Sequence, residues 1–329
     1  MAYLFRADHI GELLAPTRLS SAAADMTQAA DAAIQATIAL QKDTGINVLT
    51  DGGLRRTSPC SMFAGAVHGV QTSAGPPAPY VVDRLVRQAR LTATEVAYLR
   101  RHAGAPFKIF LPSPVAAALQ MQGKGRKPAC YPELSDVAVA LAEIIRQEIT
   151  DLVADGVPYI QLNCPAYESA SGFDSVEQML AIDAAALADM QRTADISLAV
   201  FLPRSATQAA ARAQALEAAL QRLPADRFLI GFDSQPQAAD FAPLRALPAK
   251  KIAVLGLVDT LAARANEVDP LLDKIDAAGE FADTASLAIS PQRSFVEQAG
   301  VDYEQLVKAQ RTALALAAEA ARRYWGIEL

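Results

Sequence analysis

The sequence is poor in the residues that bind metals or cross-link chains. It holds three cysteines, Cys60, Cys130 and Cys164, and three histidines, His9, His68 and His102, in 329 residues. The cysteines lie far apart with no Cys-x-x-Cys pair, which excludes a disulfide scaffold and suits a reducing, cytoplasmic setting. No charged start followed by an apolar stretch opens the chain, so no signal peptide is expected. No run reaches the ~18 apolar residues of a membrane span. A formal charge of -6 and a pI near 5.2, without a dominant basic patch, argue against nucleic acid as a partner. The densest basic cluster, "KGRK" at 124–127, reads as a solvated loop.

What is present is a repeated alternation. Short apolar runs recur along the chain: "YLFRADHIG" from Tyr3, "INVLTDGG" from Ile46, "FKIFLPSP" from Phe107, "YIQLNCP" from Tyr159, "ISLAVFLPR" from Ile196, "RFLIGFDS" from Arg227, "KIAVLGLVDT" from Lys251 and "SLAISPQRSF" from Ser286. Short and bounded by turn residues, they suit strands buried on both faces of a parallel sheet. Ala-rich helical segments lie between them, among them "LSDVAVALAEIIRQEITDLVADG", which stops at Gly156. The expectation is an α/β (β/α)8 TIM barrel spanning 1–329 as a single domain. An open doubly wound sheet is the alternative, and the lack of a Gly-rich phosphate loop after the first strand counts against it. Residues 57–90 exceed what one loop needs, and are read as an inserted hairpin or lid over the barrel mouth. The last long helix, "YEQLVKAQRTALALAAEAARRYW", is amphipathic and is expected to close the barrel; a homodimer face on it is left open.

Barrel sites are assembled at the C-terminal ends of strands. Those ends carry Arg6, Asp8 and His9; Asp51, Arg55 and Arg56; Ser113; Gln161, Asn163 and Cys164; Arg204; Asp233; Asp259; and Gln292 with Arg293. This cation-rich ring predicts a pocket for a small anionic molecule. His9, beside Asp8, is a candidate general acid/base, and Asp51 a second, with a hydrogen-bonded structural histidine as the plain alternative. Cys164 is a nucleophile if its pKa is lowered and a buried thiol otherwise. Tyr167 and Glu168, on the same loop, are placed to contact a ring or carry a proton.

The ordered set "FRADHIGELLAP", "LTDGGLRRTS", "LPSP" with "CYPEL", "YIQLNCP", "VLGLVDT" and "AISPQRSF" resembles the catalytic C-terminal barrel of cobalamin-independent methionine synthases, and their short single-domain relatives. The resemblance runs over roughly residues 4–325. It implies a barrel that moves a methyl group from methyltetrahydrofolate to the thiol of homocysteine, with zinc keeping that sulfur deprotonated. It also places the zinc ligands, and none is here. The His-x-Cys after the fifth strand falls on Phe201 and Pro203 of "FLPRSA", with Arg204 matching the motif's arginine. The glutamate after the sixth falls on Gly231, with Asp233 kept, and the cysteine after the eighth on Arg293. Arg293 is thus expected to supply a positive charge where the metal would lie. The acids that the family turns on the homocysteine ammonium fall on Gly53 and on Asn163-Cys164, and the serine of its first-strand motif on Glu12. Arg6, Asp8, His9, Asp51, Arg55, Arg56, Ser113, Tyr131, Gln161, Asp233 and Gln292 match family positions.

These departures lead to an expected function: a repurposed, zinc-free enzyme performing methyl or alkyl transfer, or a lyase-type step, on a small anionic substrate. No cofactor is expected from the residues themselves, although the resemblance leaves room for a folate derivative. A non-catalytic binder of folate or a small acid is the second reading. A zinc-dependent methyltransferase using other ligands, such as His9, Cys164 and Asp233, is the third.

Overall fold

The computed structural model describes residues 5–18, 26–73, 78–123, 128–261 and 268–326. The basic cluster at 124–127 lies outside them.

Along the chain, helix α1 (Met26–Asp43) is followed by an antiparallel hairpin, β1 (Val67–Thr72) with β2 (Pro79–Arg87), and by α2 (Ala93–His102). A parallel sheet then forms in chain order. Its strands are β3 (Lys108–Pro112), β4 (Tyr159–Asn163), β5 (Ser197–Leu202), β6 (Arg227–Gly231), β7 (Ile252–Val258) and β8 (Leu287–Pro291). Helices α3 (Pro114–Gln120), α4 (Leu134–Ala154), α5 (Val176–Ala185), α6 (Ala209–Arg222), α7 (Asp269–Gly279) and α8 (Tyr303–Trp325) cover its outer face. The strands are apolar nearly throughout because both of their faces are buried.

The first two predicted strands are barrel staves without a full ladder. Ala7 makes a single parallel bridge to Ile289, and Leu49 one to Phe107. Side chains and loop backbone join these two staves to each other. His9 Nε2 lies 3.1 Å from Val48 O, Thr50 Oγ1 donates to Gly11 O at 3.0 Å, and Leu13 N donates to Gly52 O at 3.1 Å. Gly11, at φ +119°, ends the first stave; a Cβ there would sit 2.7 Å from the Phe110 ring, so only glycine fits.

Barrel interiors are usually filled by layers of branched apolar side chains. Here one layer is ionic. Asp8 Oδ1 receives Lys108 Nζ at 2.7 Å, its Oδ2 receives Tyr159 OH at 2.6 Å, and Arg227 lies 3.7 Å away. Staves 1, 3, 4 and 6 meet in this cluster, which places it inside the barrel. Burial pushes the Asp8 carboxyl up, but the Lys108 and Arg227 charges outweigh that and hold it at about 2.

Within the 57–90 insertion, Pro59 lies on the wall of the cavity at the strand ends, and the antiparallel hairpin that follows packs on the flank of the barrel. Val81 N donates to Met121 O at 3.2 Å, Tyr131 OH receives Leu85 N at 3.0 Å, and Arg87 pairs with Glu148 and Asp151 of α4 at 2.5 and 2.6 Å. Glu148 is fully buried and also accepts from Leu91 N and Thr92 N, so α4 anchors the hairpin's far end. The terminal helix behaves as its pattern predicts. Leu306, Gln310, Ala313, Leu314, Ala317 and Ala321 form its buried stripe, and Gly326 stops it in the left-handed conformation.

Candidate active site

A cavity of about 320 Å³ opens at the C-terminal ends of the strands. Glu12, Arg56, Phe110, Asn163, Cys164, Phe201 and Ser294 lie on its wall. Strand register explains part of this set: Phe110 pairs with Gln161, and Asn163, two residues further on, pairs with Phe201 at the strand ends.

Arg56 brings a positive charge to the cavity, but that charge is matched. Its Nε and NH2 donate to Glu95 at 2.8 and 2.5 Å, NH1 donates to Phe110 O at 2.9 Å, and the guanidinium lies 4.3 Å from the centre of the Phe110 ring. Asp51 and Glu12 also act on Arg56, so three carboxylates surround one guanidinium. Burial and the nearby Glu95 charge push the Asp51 carboxyl up to about 6. Its Oδ1 accepts from Gly53 N at 2.9 Å, while the buried Oδ2 has no partner among the described residues. Burial also raises the Glu12 pKa, opposed by Arg56 and by a hydrogen bond with Ser294.

Behind Cys164 sits a second buried acid. Asp183 of α5 accepts from Tyr167 OH at 2.6 Å, Ser113 Oγ at 2.8 Å and Val115 N at 2.9 Å, and burial lifts its pKa to about 6 despite these bonds. Burial, with the Asp183 charge, raises the Cys164 thiol well above its usual value, and the Tyr167 phenol likewise. Both are held protonated, so Cys164 is not an activated nucleophile.

The structure moves several expected site residues away from the mouth. Arg6 lies at the opposite end of the barrel, donating to Ala285 O at 3.0 Å and to Leu287 O at the start of β8. Asp8 belongs to the interior ionic layer. His9 is completely buried, turned toward the second stave, and burial with the Lys108 charge lowers it to about 3. A neutral, sealed imidazole cannot serve the cavity as acid or base. Arg55 turns outward to Asp31 and stacks 4.9 Å from the Tyr98 ring centre. Arg293 is exposed and donates to Thr260 Oγ1 at 3.0 Å, away from the cavity wall that its neighbour Ser294 helps to form. Arg204 and Asp233 pair at 2.6 Å beside a separate cavity of about 120 Å³ against α6, a wall that also includes Tyr167 and Glu168. Gln292 reaches Ser234 Oγ at 3.3 Å, and Asp259 accepts from the same hydroxyl. Gln161 lies one layer below the cavity floor, fully buried.

Sequence reasoning missed Glu95, Lys108 and Asp183. Each is a charge on an otherwise apolar buried face, as in "FKIFLP" and "MLAIDAAAL". A charge in such a place needs partners, and that was the available signal. Glu12 was noticed only as a substitution.

The positions to which the resemblance assigns zinc ligands do not fit the ion. Phe201 and Pro203 offer no side-chain donor, and Arg293 is a cation. At Gly231 a Cβ would lie 3.0 Å from Arg204 N and 3.1 Å from Gln292 O, so backbone has closed over the room a glutamate would need. His9, Cys164 and Asp233 do not converge either. Among the described residues no group of three or more His, Cys, Asp or Glu side chains is placed to hold a metal ion.

Comparison with known proteins agrees with the architecture. The structure of a B12-independent methionine synthase from Shewanella sp. W3-18-1, in complex with selenomethionine, superposes with a TM-score of 0.79 at 19% identity, covering 98% of this chain and 99% of that one. A putative vitamin-B12-independent methionine synthase from Listeria monocytogenes gives 0.78 at 19% identity, covering 99% and 100%. A 5-methyltetrahydropteroyltriglutamate–homocysteine methyltransferase of Herpetosiphon aurantiacus is 31% identical over 147 residues. That match takes in 42% of this chain and only 19% of the Herpetosiphon protein. The family described as cobalamin-independent synthase, catalytic domain, matches residues 12–322. With that match over nearly its whole length and a (β/α)8 barrel to go with it, the chain belongs to the cobalamin-independent synthase catalytic-domain family.

Proposed function

We propose that this chain is an enzyme that works without the family's zinc, on a small polar molecule held in the mouth cavity. The observation that carries the reading is Glu12. It is a carboxylate on the cavity wall, with a pKa raised by burial, beside positions that offer no metal ligands. A carboxylate of raised pKa holds a proton taken from substrate better than an ordinary carboxylate, which suits it to the role of general base. In a methyl or alkyl transfer, the substrate's nucleophile would form the new bond to carbon while the bond to the donor breaks with its electron pair. The nucleophile's proton would pass to Glu12, and the electron pair left on the donor would take up a proton from solvent. A methylated pteridine, the donor class in the name of the Herpetosiphon protein, is the first donor to try. A lyase-type step would ask the same of Glu12: it would remove a C–H proton while a leaving group departs from the neighbouring carbon with its bonding pair, and the C–H pair becomes the new double bond.

The ligand is proposed to be neutral or positively charged where it meets Glu12. The anion expected from the arginines at the strand ends loses its support, since those arginines pair with Glu95, Asp31 and Asp233 or point elsewhere.

A binding protein is the second reading, favoured by the protonated Cys164 and Tyr167 and by the sealed His9. Two measurements test the proposal. Elemental analysis of tag-free protein purified without chelator should find no stoichiometric zinc; a chelator-sensitive equivalent would overturn the metal-free reading. Incubating the protein with a polar metabolite extract should convert one compound to another catalytically, and Glu12→Gln should abolish the conversion. Retention of a compound without conversion would favour the binder.

A further inference from the structure

The orientation of one amide on the cavity wall is dictated from inside the barrel. Lys108 Nζ has three acceptors around it: Asp8 Oδ1 at 2.7 Å, Gln161 Oε1 at 2.9 Å and His9 O. Three acceptors match the three protons of an ammonium, so Lys108 is charged here although burial favours its neutral form. An ammonium can only donate, so the carboxamide oxygen of Gln161 must face it. Gln161 Nε2 meets Ile10 O at 2.6 Å, a group that can only accept, and this demands the same orientation independently. Nε2 spends its other proton on Asn163 Oδ1 at 2.7 Å. The oxygen of Asn163 therefore faces inward, and its Nδ2 takes the opposite side of the carboxamide, in a residue that lines the cavity. A flipped Asn163 would set two N–H donors against each other inside the protein.

Beside the already paired Arg56, the cavity wall thus carries Glu12 as an acceptor and Asn163 as a donor, with Phe110 and Phe201 between the strand ends. We infer that Glu12 and Asn163 set ligand polarity: the ligand presents an ammonium or similar cationic donor to Glu12 and a carbonyl-type acceptor to the Asn163 amide. Lys108 and Gln161 are positioning residues that hold Asn163 in its donor sense. The inference rests on the proposal that the mouth cavity is the ligand site, and it adds the chemical class of ligand.

The test compares small probes binding to the full chain by ligand-observed NMR, with a cavity-lining reporter. Glycinamide carries an ammonium and a carbonyl. Malonamate replaces that ammonium by a carboxylate, and 1,2-diaminoethane replaces the carbonyl by a second ammonium. The wild type should prefer glycinamide over either by ~10-fold or more, the worth of one charge-assisted hydrogen bond. Asn163→Asp keeps the oxygen that Gln161 binds and changes only the group facing the cavity, so it should reverse the ranking in favour of 1,2-diaminoethane. Gln161→Glu, protonated in this buried place with its O–H on Ile10 O, offers Asn163 an acceptor in place of a donor, and should shift the ranking in the same direction by turning the amide over. Glu12→Gln should weaken glycinamide ~10-fold or more while leaving the fold intact by circular dichroism. A wild-type preference for malonamate, or a ranking unchanged in Asn163→Asp, overturns the inference and leaves the cavity as a ligand site. Binding of none of the three overturns both.

Discussion

Arg56 and Glu95 are joined by two N–H···O contacts of 2.8 and 2.5 Å, with side-chain exposures of 6% and 8%. This fork ties the loop after the second stave to α2, and sets the arginine against the mouth cavity with its charge already matched. Breaking such a buried pair by removing one member costs more than the pair is worth, because the other charge is stranded. Glu95→Ala should destabilise the fold by about 3–5 kcal/mol in urea denaturation. A loss under 1 kcal/mol would mean that solvent reaches the pair.

The buried Asp51 makes stability fall with rising pH over a defined window. Its folded pKa, about 6, lies above that of an ordinary carboxyl, so the unfolded chain releases this proton first. The penalty is absent below about pH 4, grows toward pH 6 and stays constant above, reaching roughly 3 kcal/mol. Asn fits the site, since the Oδ1 contact with Gly53 N survives and the unpartnered Oδ2 becomes an amide. Asp51→Asn should therefore be neutral at pH 4 and stabilising at pH 7–8, read as a pH-dependent difference in denaturation midpoint. A constant difference across the range would refute the shift.

Thiol labelling separates exposure from reactivity. Cys130 is exposed, whereas Cys60 and Cys164 are buried with pKa values raised by that burial, Cys60 to about 12. With iodoacetamide at pH 8, Cys130 should be modified first, and the other two only on unfolding, as peptide mass spectrometry would show. Rapid modification of Cys164 in the native state would restore it as a candidate nucleophile.

Gly231 tests the closure at the position where the resemblance places a glutamate. Its φ is ordinary, so any cost of Gly231→Ala comes from contact alone: a Cβ 3.0 Å from Arg204 N and 3.1 Å from Gln292 O. Crowding of this kind costs about 1–3 kcal/mol, measurable as a lower denaturation midpoint. An unchanged midpoint would show that the loop can yield, and that a glutamate could be accommodated there.

Much of the architecture was readable in advance, for a physical reason. Strands buried on both faces must be apolar and short, and the helices between them must carry an apolar stripe, so "YIQLN" and the helix from Tyr303 to Trp325 announce themselves locally. The first two staves were harder. Their polar residues, Arg6, Asp8 and Thr50, replace ladder bonds with side-chain bonds, and a local pattern does not show that.

The site was less legible. Being at the end of a strand does not say which way a side chain turns. Asp8 and His9 are neighbours, yet one enters the ionic layer inside the barrel and the other is sealed against the second stave. Counting arginines suggested an anion pocket, but charge is a sum over partners, and Glu95, Asp31 and Asp233 come from elements remote in sequence.

By itself, the sequence determined the barrel class, because the length and apolar character of each strand are local properties, and it put Phe201, Pro203, Gly231 and Arg293 where the resemblance expects zinc donors. Only the tertiary structure decided which charges are already neutralised, that Glu12 lines the mouth cavity, and which way Asn163 faces. Those are properties of contacts between distant segments: Lys108, 53 residues before Gln161 in the chain, orients an amide that no local pattern could orient.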